Sequence, residues 1–215
     1  MRLELDGKRY QPQRVFCIGC NYDAHIKELG SCADDRCVIF MKPPTCLVPP
    51  GRVVTLPAGR GEVHHEVELV IVVGTGGRNI PRDRALAHIA GVTLGLDLTL
   101  RTVQTRLKQH GHPWELSKAF DQSAPLGKPV AWTPALDLAN IPLRCRVNGT
   151  VRQDGNTRDM LFPVEQLLAI VSSTWVLRPG DLLFTGTPPG VGPVVPGDEV
   201  TIDSPCLGSF TWRMA

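Results

Sequence analysis

The sequence predicts an α+β fold in which strands predominate and helices are few and short. Nineteen prolines and 21 glycines divide the 215 residues into many short segments, and short apolar segments between such residues are typical of strands. The helical patterns are too few and too irregularly placed for a doubly wound α/β sheet. The length suits one substantial domain. We therefore expect a single domain over residues 1–215.

The individual elements follow from apolar runs and their boundaries. Strands are predicted near residues 2–5, 14–18, 37–41, 53–55, 66–73, 91–98, 128–132, 143–148, 182–185, 199–203 and 207–213. Helical patterns cover residues 23–29, 82–90, 99–109 and 163–174, and Pro163 suits the first turn of the last one. Asn148-Gly149 lies between two strand-like segments and predicts a tight hairpin turn.

Charge and hydropathy exclude several classes of function. The formal net charge is +2 and the basic residues are scattered, which gives no support for nucleic-acid binding. No run approaches the roughly 18–20 apolar residues of a membrane span. The N-terminus lacks the apolar core of a signal peptide and the Arg/Ser bias of a transit peptide. These features predict a cytoplasmic protein.

Two carboxylates precede the most apolar strand. Glu66 and Glu68 alternate with Val67 just before the run 69–73, so in a strand both side chains point the same way. Adjacent buried carboxylates repel each other and lose hydration, and a divalent cation relieves both effects. The alternative is that both line the solvent-facing side of an edge strand.

A third carboxylate favours the metal site. Asp97 ends another apolar run, residues 91–98. Oxygen ligands suit Mg²⁺, Ca²⁺ or Mn²⁺ rather than zinc. Glu66, Glu68 and Asp97 are therefore candidate metal ligands, and the solvent-facing strand remains the alternative.

Other polar residues are candidates for catalysis. His25 and Glu28, three residues apart on a predicted helix, share a face, and a carboxylate beside an imidazole prepares a general base. A solvated helix face with a chance His/Glu pair is the alternative. Lys118, among aromatic residues, would stabilise an oxyanion or else extend over Trp114 or Phe120.

Three further residues are candidates for substrate binding. Arg101 and Gln104 share a helix face after Asp97, and they either reach substrate or cap and solvate that helix. Thr187 belongs to the glycine-rich loop that follows strand 182–185. Exposed backbone amides in that loop would hold a carboxylate, whereas a tight turn without a ligand is the alternative.

Together these segments resemble the fumarylacetoacetate hydrolase family, most closely its compact acylpyruvase branch. The resemblance extends from about residue 14 to the end of the chain and depends on six motifs: Gly19-Cys20-Asn21-Tyr22 with His25; Phe40-Met41-Lys42-Pro43; His64-His65-Glu66 with Glu68 and Leu69; Leu96-Asp97-Leu98-Thr99 with Arg101 and Gln104; Trp114 with Lys118, Phe120 and Asp121; and Thr185-Gly186-Thr187-Pro188 with Gly190, Val191 and Gly192. One departure is Cys20, where relatives commonly carry arginine.

The resemblance implies a single catalytic domain over residues 1–215, with residues 1–13 as a short N-terminal extension. It implies a mixed β-roll, usually a homodimer, with Mg²⁺ or Mn²⁺ bound by Glu66, Glu68 and Asp97. It also implies that the segment around His25 and Glu28 forms a lid, and that Lys118 and Gln104 face the reacting carbonyl. The first hypothesis is hydrolysis of the C–C bond of a 2,4-diketo acid, such as an acylpyruvate or fumarylpyruvate, by a water that His25 activates. The alternatives are oxaloacetate decarboxylation or keto–enol isomerisation at the same site, and an inactive relative that binds a metal or keto acid.

Overall fold

The computed structural model describes residues 1–29 and 37–215. The strands are β1 Leu3–Leu5, β2 Lys8–Tyr10, β3 Val15–Gly19, β4 Val38–Lys42, β5 Leu47–Val48, β6 Val53–Val54, β7 Val63–His65, β8 Val67–Val73, β9 Ile89–Leu96, β10 Thr99–Leu100, β11 Ala124–Pro125, β12 Val130–Ala131, β13 Pro142–Val147, β14 Thr150–Asn156, β15 Leu182–Phe184, β16 Gly192–Val194, β17 Glu199–Ser204 and β18 Gly208–Met214. The α-helices are α1 Asp23–Leu29, α2 Arg101–Gln109, α3 Glu115–Lys118 and α4 Val164–Thr174. Short 3₁₀ helices cover Pro44–Cys46, Arg82–His88 and Thr157–Asp159.

A mixed six-stranded sheet forms the centre of the fold. Its order is β12-β9-β8-β15-β3-β4. The pair β15 and β3 is parallel, and the other neighbouring pairs are antiparallel. Strand β8 lies inside this sheet and is buried along its whole length. This explains why residues 67–73 are almost uninterrupted in their apolar character.

A second sheet of five strands has the order β14-β13-β17-β18-β6. Its first two strands form a hairpin in which Val147 pairs with Thr150. The two residues between them, Asn148 and Gly149, have φ angles of 52° and 77°. Positive φ at both positions is what a type I′ turn requires. The predicted Asn-Gly hairpin is therefore confirmed.

A small three-stranded sheet brings three distant segments together next to β8. Strand β7 lies between β10 and β16. Its residue His64 pairs with Thr99, and His65 pairs with Gly192. The residues just before Glu66, the residues just after Asp97 and the end of the glycine-rich loop consequently meet at one place.

The core consists of two clusters on opposite faces of the central sheet. The larger cluster contains Leu69 and Ile71 of β8 together with side chains of the five-stranded sheet and of α4. The smaller cluster contains Val70 and Val72 of β8. Because side chains alternate along a strand, Glu68 falls on the same face as Val70 and Val72.

The predominance of strands and the mixed sheets predicted from the sequence are confirmed. Two predicted helices differ in detail. The pattern at 82–90 forms a 3₁₀ helix that ends at His88, and the pattern at 99–109 begins with strand β10 before α2 starts. Among the described residues, no helix has the length and apolar character needed to cross a membrane.

Candidate active site

Three carboxylate groups meet at one end of the β8–β9 pair. Glu66 lies between β7 and β8, Glu68 is the second residue of β8, and Asp97 directly follows β9. The backbone N–H of Asp97 donates to the carbonyl oxygen of Glu66 at 2.9 Å. One carboxylate oxygen from each of the three residues lies within 4.8 Å of those of the other two. The antiparallel register therefore assembles the carboxylate cluster Glu66/Glu68/Asp97.

The cluster is buried, which excludes the solvent-facing alternative. Glu66, Glu68 and Asp97 are 4%, 1% and 1% exposed. Burial raises the pKa of Glu68 well above its ordinary value, and the charges of Asp97 and Glu66 raise it further. Burial alone would also raise the pKa of Glu66, but the charges of Lys118 and Arg101 outweigh it, and the net shift is downward.

Lys118 forms an ion pair with two members of the cluster. Its Nζ lies 2.7 Å from Glu66 Oε2 and 2.7 Å from Asp97 Oδ2. Burial opposes the charged form of this lysine, but Asp97 and Glu66 outweigh it and raise its pKa. The aromatic ring below its ammonium group is Phe40, at 5.1 Å from the ring centroid. The alternative that Lys118 extends over Trp114 or Phe120 was therefore wrong.

A second buried lysine was given no role by the sequence motifs. Lys42, at the end of β4, has a fully buried side chain whose Nζ lies 2.8 Å from Asp97 Oδ1. The same ammonium group donates to Ser123 Oγ at 2.9 Å and to the carbonyl oxygen of Lys118. Lys42 and Lys118 therefore contact different oxygens of the Asp97 carboxylate. The Phe-Met-Lys-Pro motif contained the residue, but its contacts arise only from sheet packing.

His25 and Glu28 form the predicted pair on α1. His25 Nδ1 lies 3.2 Å from Glu28 Oε2, and the backbone N–H of Gly190 donates to the same carboxylate at 3.1 and 3.2 Å. Burial lowers the pKa of His25, as does Arg101, while Glu66 and Glu28 act in the opposite direction. The imidazole is therefore neutral at neutral pH, as a general base must be.

The glycine-rich loop binds carboxylates of the chain itself. The backbone N–H of Gly186 donates to Glu68 Oε2 at 2.7 Å, and that of Gly190 donates to Glu28. Thr187 Oγ1 donates to the carbonyl oxygen of Val67 at 2.8 Å. A Cβ at Gly190 would collide with the carbonyl oxygen of Arg152, and its φ of 96° also favours glycine. The loop therefore fixes two site residues, and its binding of a ligand carboxylate stays a prediction.

Gln153 fixes this loop and was missed at the sequence level. This fully buried side chain donates from Nε2 to Thr187 Oγ1 and to the carbonyl oxygen of Pro188, both at 2.8 Å. Its Oε1 accepts from the backbone N–H of Val67 at 3.1 Å and lies 2.9 Å from His65 Nδ1. A lone glutamine in a strand gives no sequence signal of such a role.

Arg101 and Gln104 turn toward the carboxylate cluster. Arg101 Nη2 donates to Glu66 Oε1, and its Nη1 donates to Gln104 Oε1 at 2.5 Å. Neither side chain caps α2, whose N-cap is Leu100. The alternative that these two residues only cap or solvate the helix was therefore wrong.

A cavity opens over the cluster. Seven of the nine predicted site residues line it: His25, Glu66, Glu68, Arg101, Gln104, Lys118 and Thr187. The other two, Glu28 and Asp97, each contact a lining residue: Glu28 contacts His25, and Asp97 contacts Lys118. The wall also contains Cys20, the position at which relatives commonly carry arginine. Lys108 and Trp114 lie in the same wall. Lys108, seven residues after Arg101, was missed although helical spacing places it on the same face.

The donor set fits a hard divalent cation. The cluster offers three buried carboxylate groups, and the adjacent cavity leaves room for water or substrate oxygens. Oxygen-only donors with open positions are the environment that Mg²⁺ and Mn²⁺ prefer. Burial and the two neighbouring carboxylates raise the pKa of Glu68, so a cation bound beside it would favour its ionised form.

The chain is similar to known proteins along most of its length. Residues 14–215 match the family model for the fumarylacetoacetate hydrolase C-terminal domain. The chain is 42% identical over 197 residues to oxaloacetate tautomerase YcgM of Escherichia coli, covering 90% of this chain and 89% of that protein. It is 37% identical over 202 residues to the mitochondrial oxaloacetate tautomerase FAHD1 of Homo sapiens, covering 94% and 91%.

A solved structure extends the similarity to three dimensions. Fumarylpyruvate hydrolase from Pseudomonas aeruginosa, in complex with Mn²⁺ and pyruvate, superimposes with a TM-score of 0.94 at 35% identity. The match covers 100% of this chain and 95% of that chain.

Proposed function

This chain belongs to the fumarylacetoacetate hydrolase family, and from that membership we propose that it is a metal-dependent enzyme that interconverts the keto and enol forms of a 2-oxo acid such as oxaloacetate. The observation that carries the proposal is the buried carboxylate cluster below a cavity that also holds His25 and Lys118. Relatives named oxaloacetate tautomerase, at 37–42% identity over most of their length, support this substrate.

Glu66, Glu68 and Asp97 would hold the metal. A divalent cation held there would supply Lewis-acid stabilisation of the negative charge that develops on a 2-oxo acid as it loses a proton. The relative whose structure contains Mn²⁺ and pyruvate supports this pairing of a metal with a 2-oxo acid.

His25 is the proposed general base. Because Glu28 lies next to Nδ1, we assign the ring proton to Nδ1, and Nε2 is left to accept a proton from substrate. When the C–H bond beside the keto group breaks, its electron pair forms the carbon–carbon double bond of the enol and the proton moves to His25. His25 then returns that proton to the oxygen. The Lys118 ammonium group, with its raised pKa, stays charged and attracts the oxygen that gains negative charge.

Hydrolysis of a 2,4-diketo acid is the second candidate. The His25–Glu28 pair favours it, since the same imidazole would remove a proton from water as that water attacks the distal carbonyl. The C–C bond then breaks and a carboxylic acid leaves. The electron pair of that bond stays with the pyruvate part, which takes up the proton held by His25. Similarity to a fumarylpyruvate hydrolase supports this candidate.

One assay distinguishes the two candidates. Purified protein is tested with oxaloacetate, by the change in enol absorbance, and with acetylpyruvate, by release of pyruvate. Each substrate is tested with Mg²⁺, with Mn²⁺ and after exhaustive chelation. We expect metal-dependent tautomerisation of oxaloacetate. Faster turnover of acetylpyruvate than of oxaloacetate would favour the hydrolase, and full activity after chelation would contradict both candidates.

A further inference from the structure

Helix α2 presents one row of polar side chains to the cavity. Arg101, Gln104 and Lys108 occupy positions i, i+3 and i+7 and all line its wall. The row begins at the carboxylate cluster, where Arg101 contacts Glu66. Lys108 is two helical turns further on, about 10 Å along the helix axis. The helix therefore carries this row of side chains along the cavity wall from the proposed metal site to Lys108.

The cations in this wall differ in their partners. Arg101 is paired with Glu66, and Lys118 is paired with Glu66 and Asp97. Lys108 has no carboxylate partner among residues 1–29 and 37–215. Its ammonium group instead lies over the ring of Trp114, 5.0 Å from the centroid. Lys108 is thus the cation of the cavity wall whose hydrogen-bond donors remain available to a ligand.

The position of Lys108 is fixed and its charge is retained near neutral pH. Trp114 packs against Phe40 with ring centroids 5.8 Å apart, so the aromatic support is itself held in place. Burial lowers the pKa of Lys108 to about 8, with further contributions from Arg101 and Lys118 and an opposing one from Glu66. Most of the population is therefore protonated at neutral pH. A partly buried cation of this kind is stabilised by an anion.

We propose that Lys108 is a specificity residue that binds a second carboxylate of the substrate, at the end remote from the carboxylate cluster, so that the enzyme selects dicarboxylic 2-oxo acids. This inference rests on the proposed function, in which the 2-oxo acid end of the substrate lies at the metal. The rest of the substrate then extends along α2. An oxaloacetate-like compound places its other carboxylate on that side, whereas a simple acylpyruvate places an uncharged acyl group there.

The test compares two ligands with the same four-carbon chain. Oxaloacetate carries a terminal carboxylate, and 2-oxobutyrate carries a methyl group in its place. Calorimetry measures the binding of each to the Mg²⁺-loaded wild-type protein and to the variants Lys108→Met and Lys108→Arg. Arg106→Met is the matched control, because Arg106 is an exposed cation on the same helix.

We expect Lys108→Met to weaken oxaloacetate binding by about 10- to 100-fold, the size of a lost hydrogen bond to a charged group, with less than about twofold change for 2-oxobutyrate. Lys108→Arg retains the preference, and Arg106→Met leaves both affinities unchanged. Equal weakening of both ligands, or no change for oxaloacetate, would overturn the role of Lys108. Failure of the wild-type protein to bind either 2-oxo acid would instead overturn the proposed function, and this inference with it.

A pH series on wild-type protein gives a second readout. Since the pKa of Lys108 is lowered to about 8, the preference for oxaloacetate over 2-oxobutyrate declines as the pH rises above that value. The decline is absent in Lys108→Arg, because arginine stays charged. A preference that does not change with pH in the wild-type protein would contradict the proposal.

Discussion

Glu28 Oε2 lies 3.2 Å from His25 Nδ1, and the backbone N–H of Gly190 holds the same carboxylate from the other side. The glycine-rich loop thereby orients the imidazole without touching it. In the proposed mechanism this contact leaves Nε2 of His25 to act as the base. His25 and Glu28 therefore depend on a loop that is more than 160 residues away in sequence.

The first prediction concerns this pair. His25→Ala removes the base, and we expect turnover to fall by about 10²- to 10⁴-fold, the usual contribution of general acid–base catalysis. Glu28→Gln keeps the imidazole but weakens its orientation, so kcat falls less and metal binding is unchanged. Steady-state kinetics check both variants. Glu4→Gln, an exposed acid on β1, is the control, and equal losses in that variant would contradict the assignment.

The second prediction concerns pH. Catalysis needs neutral His25, and burial lowers its pKa below the usual value of about 6.5. The acid limb of kcat/KM therefore lies below that value, with activity rising as pH increases through it. Glu28 raises the pKa of His25, so Glu28→Gln moves the limb to still lower pH. A limb that stays at the wild-type pH in Glu28→Gln would argue against His25 as the titrating base.

The third prediction concerns metal binding. Glu68→Ala removes one of three buried ligands, so we expect a loss in Mg²⁺ affinity beyond the about 10- to 100-fold that outer-shell changes cause. Thermal unfolding with and without Mg²⁺ reports binding independently of activity. Glu62→Gln, an exposed acid in the same segment, serves as the control. An undiminished Mg²⁺-induced rise in Tm for Glu68→Ala would contradict the proposed ligand set.

The fourth prediction concerns Lys118, whose ammonium group lies 2.7 Å from Glu66 and Asp97. Lys118→Met removes a cation that repels the metal, so divalent affinity increases by about tenfold or more, while turnover is lost. The metal-free variant becomes less stable, because two buried carboxylates lose their partner, and added Mg²⁺ restores its Tm. Calorimetry that finds weaker Mg²⁺ binding would show that Lys118 organises the cluster instead.

The fifth prediction concerns Gln153. Gln153→Leu leaves the backbone N–H of Val67 and the carbonyl oxygen of Pro188 without this buried partner, and Thr187 Oγ1 keeps only its bond to the Val67 carbonyl oxygen. We expect the free energy of unfolding to fall by about 2–4 kcal/mol. Denaturant unfolding measures this loss, and the exposed neighbour Arg152→Gln is the control. A loss within about 0.5 kcal/mol, the range of ordinary surface changes, would show that the loop does not depend on Gln153.

Much of the fold follows from local patterns. The apolar run at 67–73 forms strand β8, and the Asn148-Gly149 pair forms the two-residue turn of the β13–β14 hairpin. These signals are local, because alternation and turn chemistry act between near neighbours. The short strands β7, β10 and β16 were missed. They have two or three residues each and owe their existence to pairing with distant segments.

The candidate site shows the same division. The pattern made Glu66, Glu68 and Asp97 candidates, because carboxylates beside buried apolar runs are unusual, and the family resemblance in the sequence then assigned them as metal ligands. It also placed Arg101 with Gln104, and His25 with Glu28, through helical spacing.

Only the tertiary structure decided the partners of these groups. It set Lys42 and Lys118 on the two oxygens of Asp97, held Glu28 through Gly190, and placed Lys108 over Trp114 in the cavity wall. The physical reason is the distance along the chain over which each signal acts. Side-chain periodicity extends over a few residues, whereas charge compensation in a buried site depends on which distant strands and loops the sheets bring within a few ångströms.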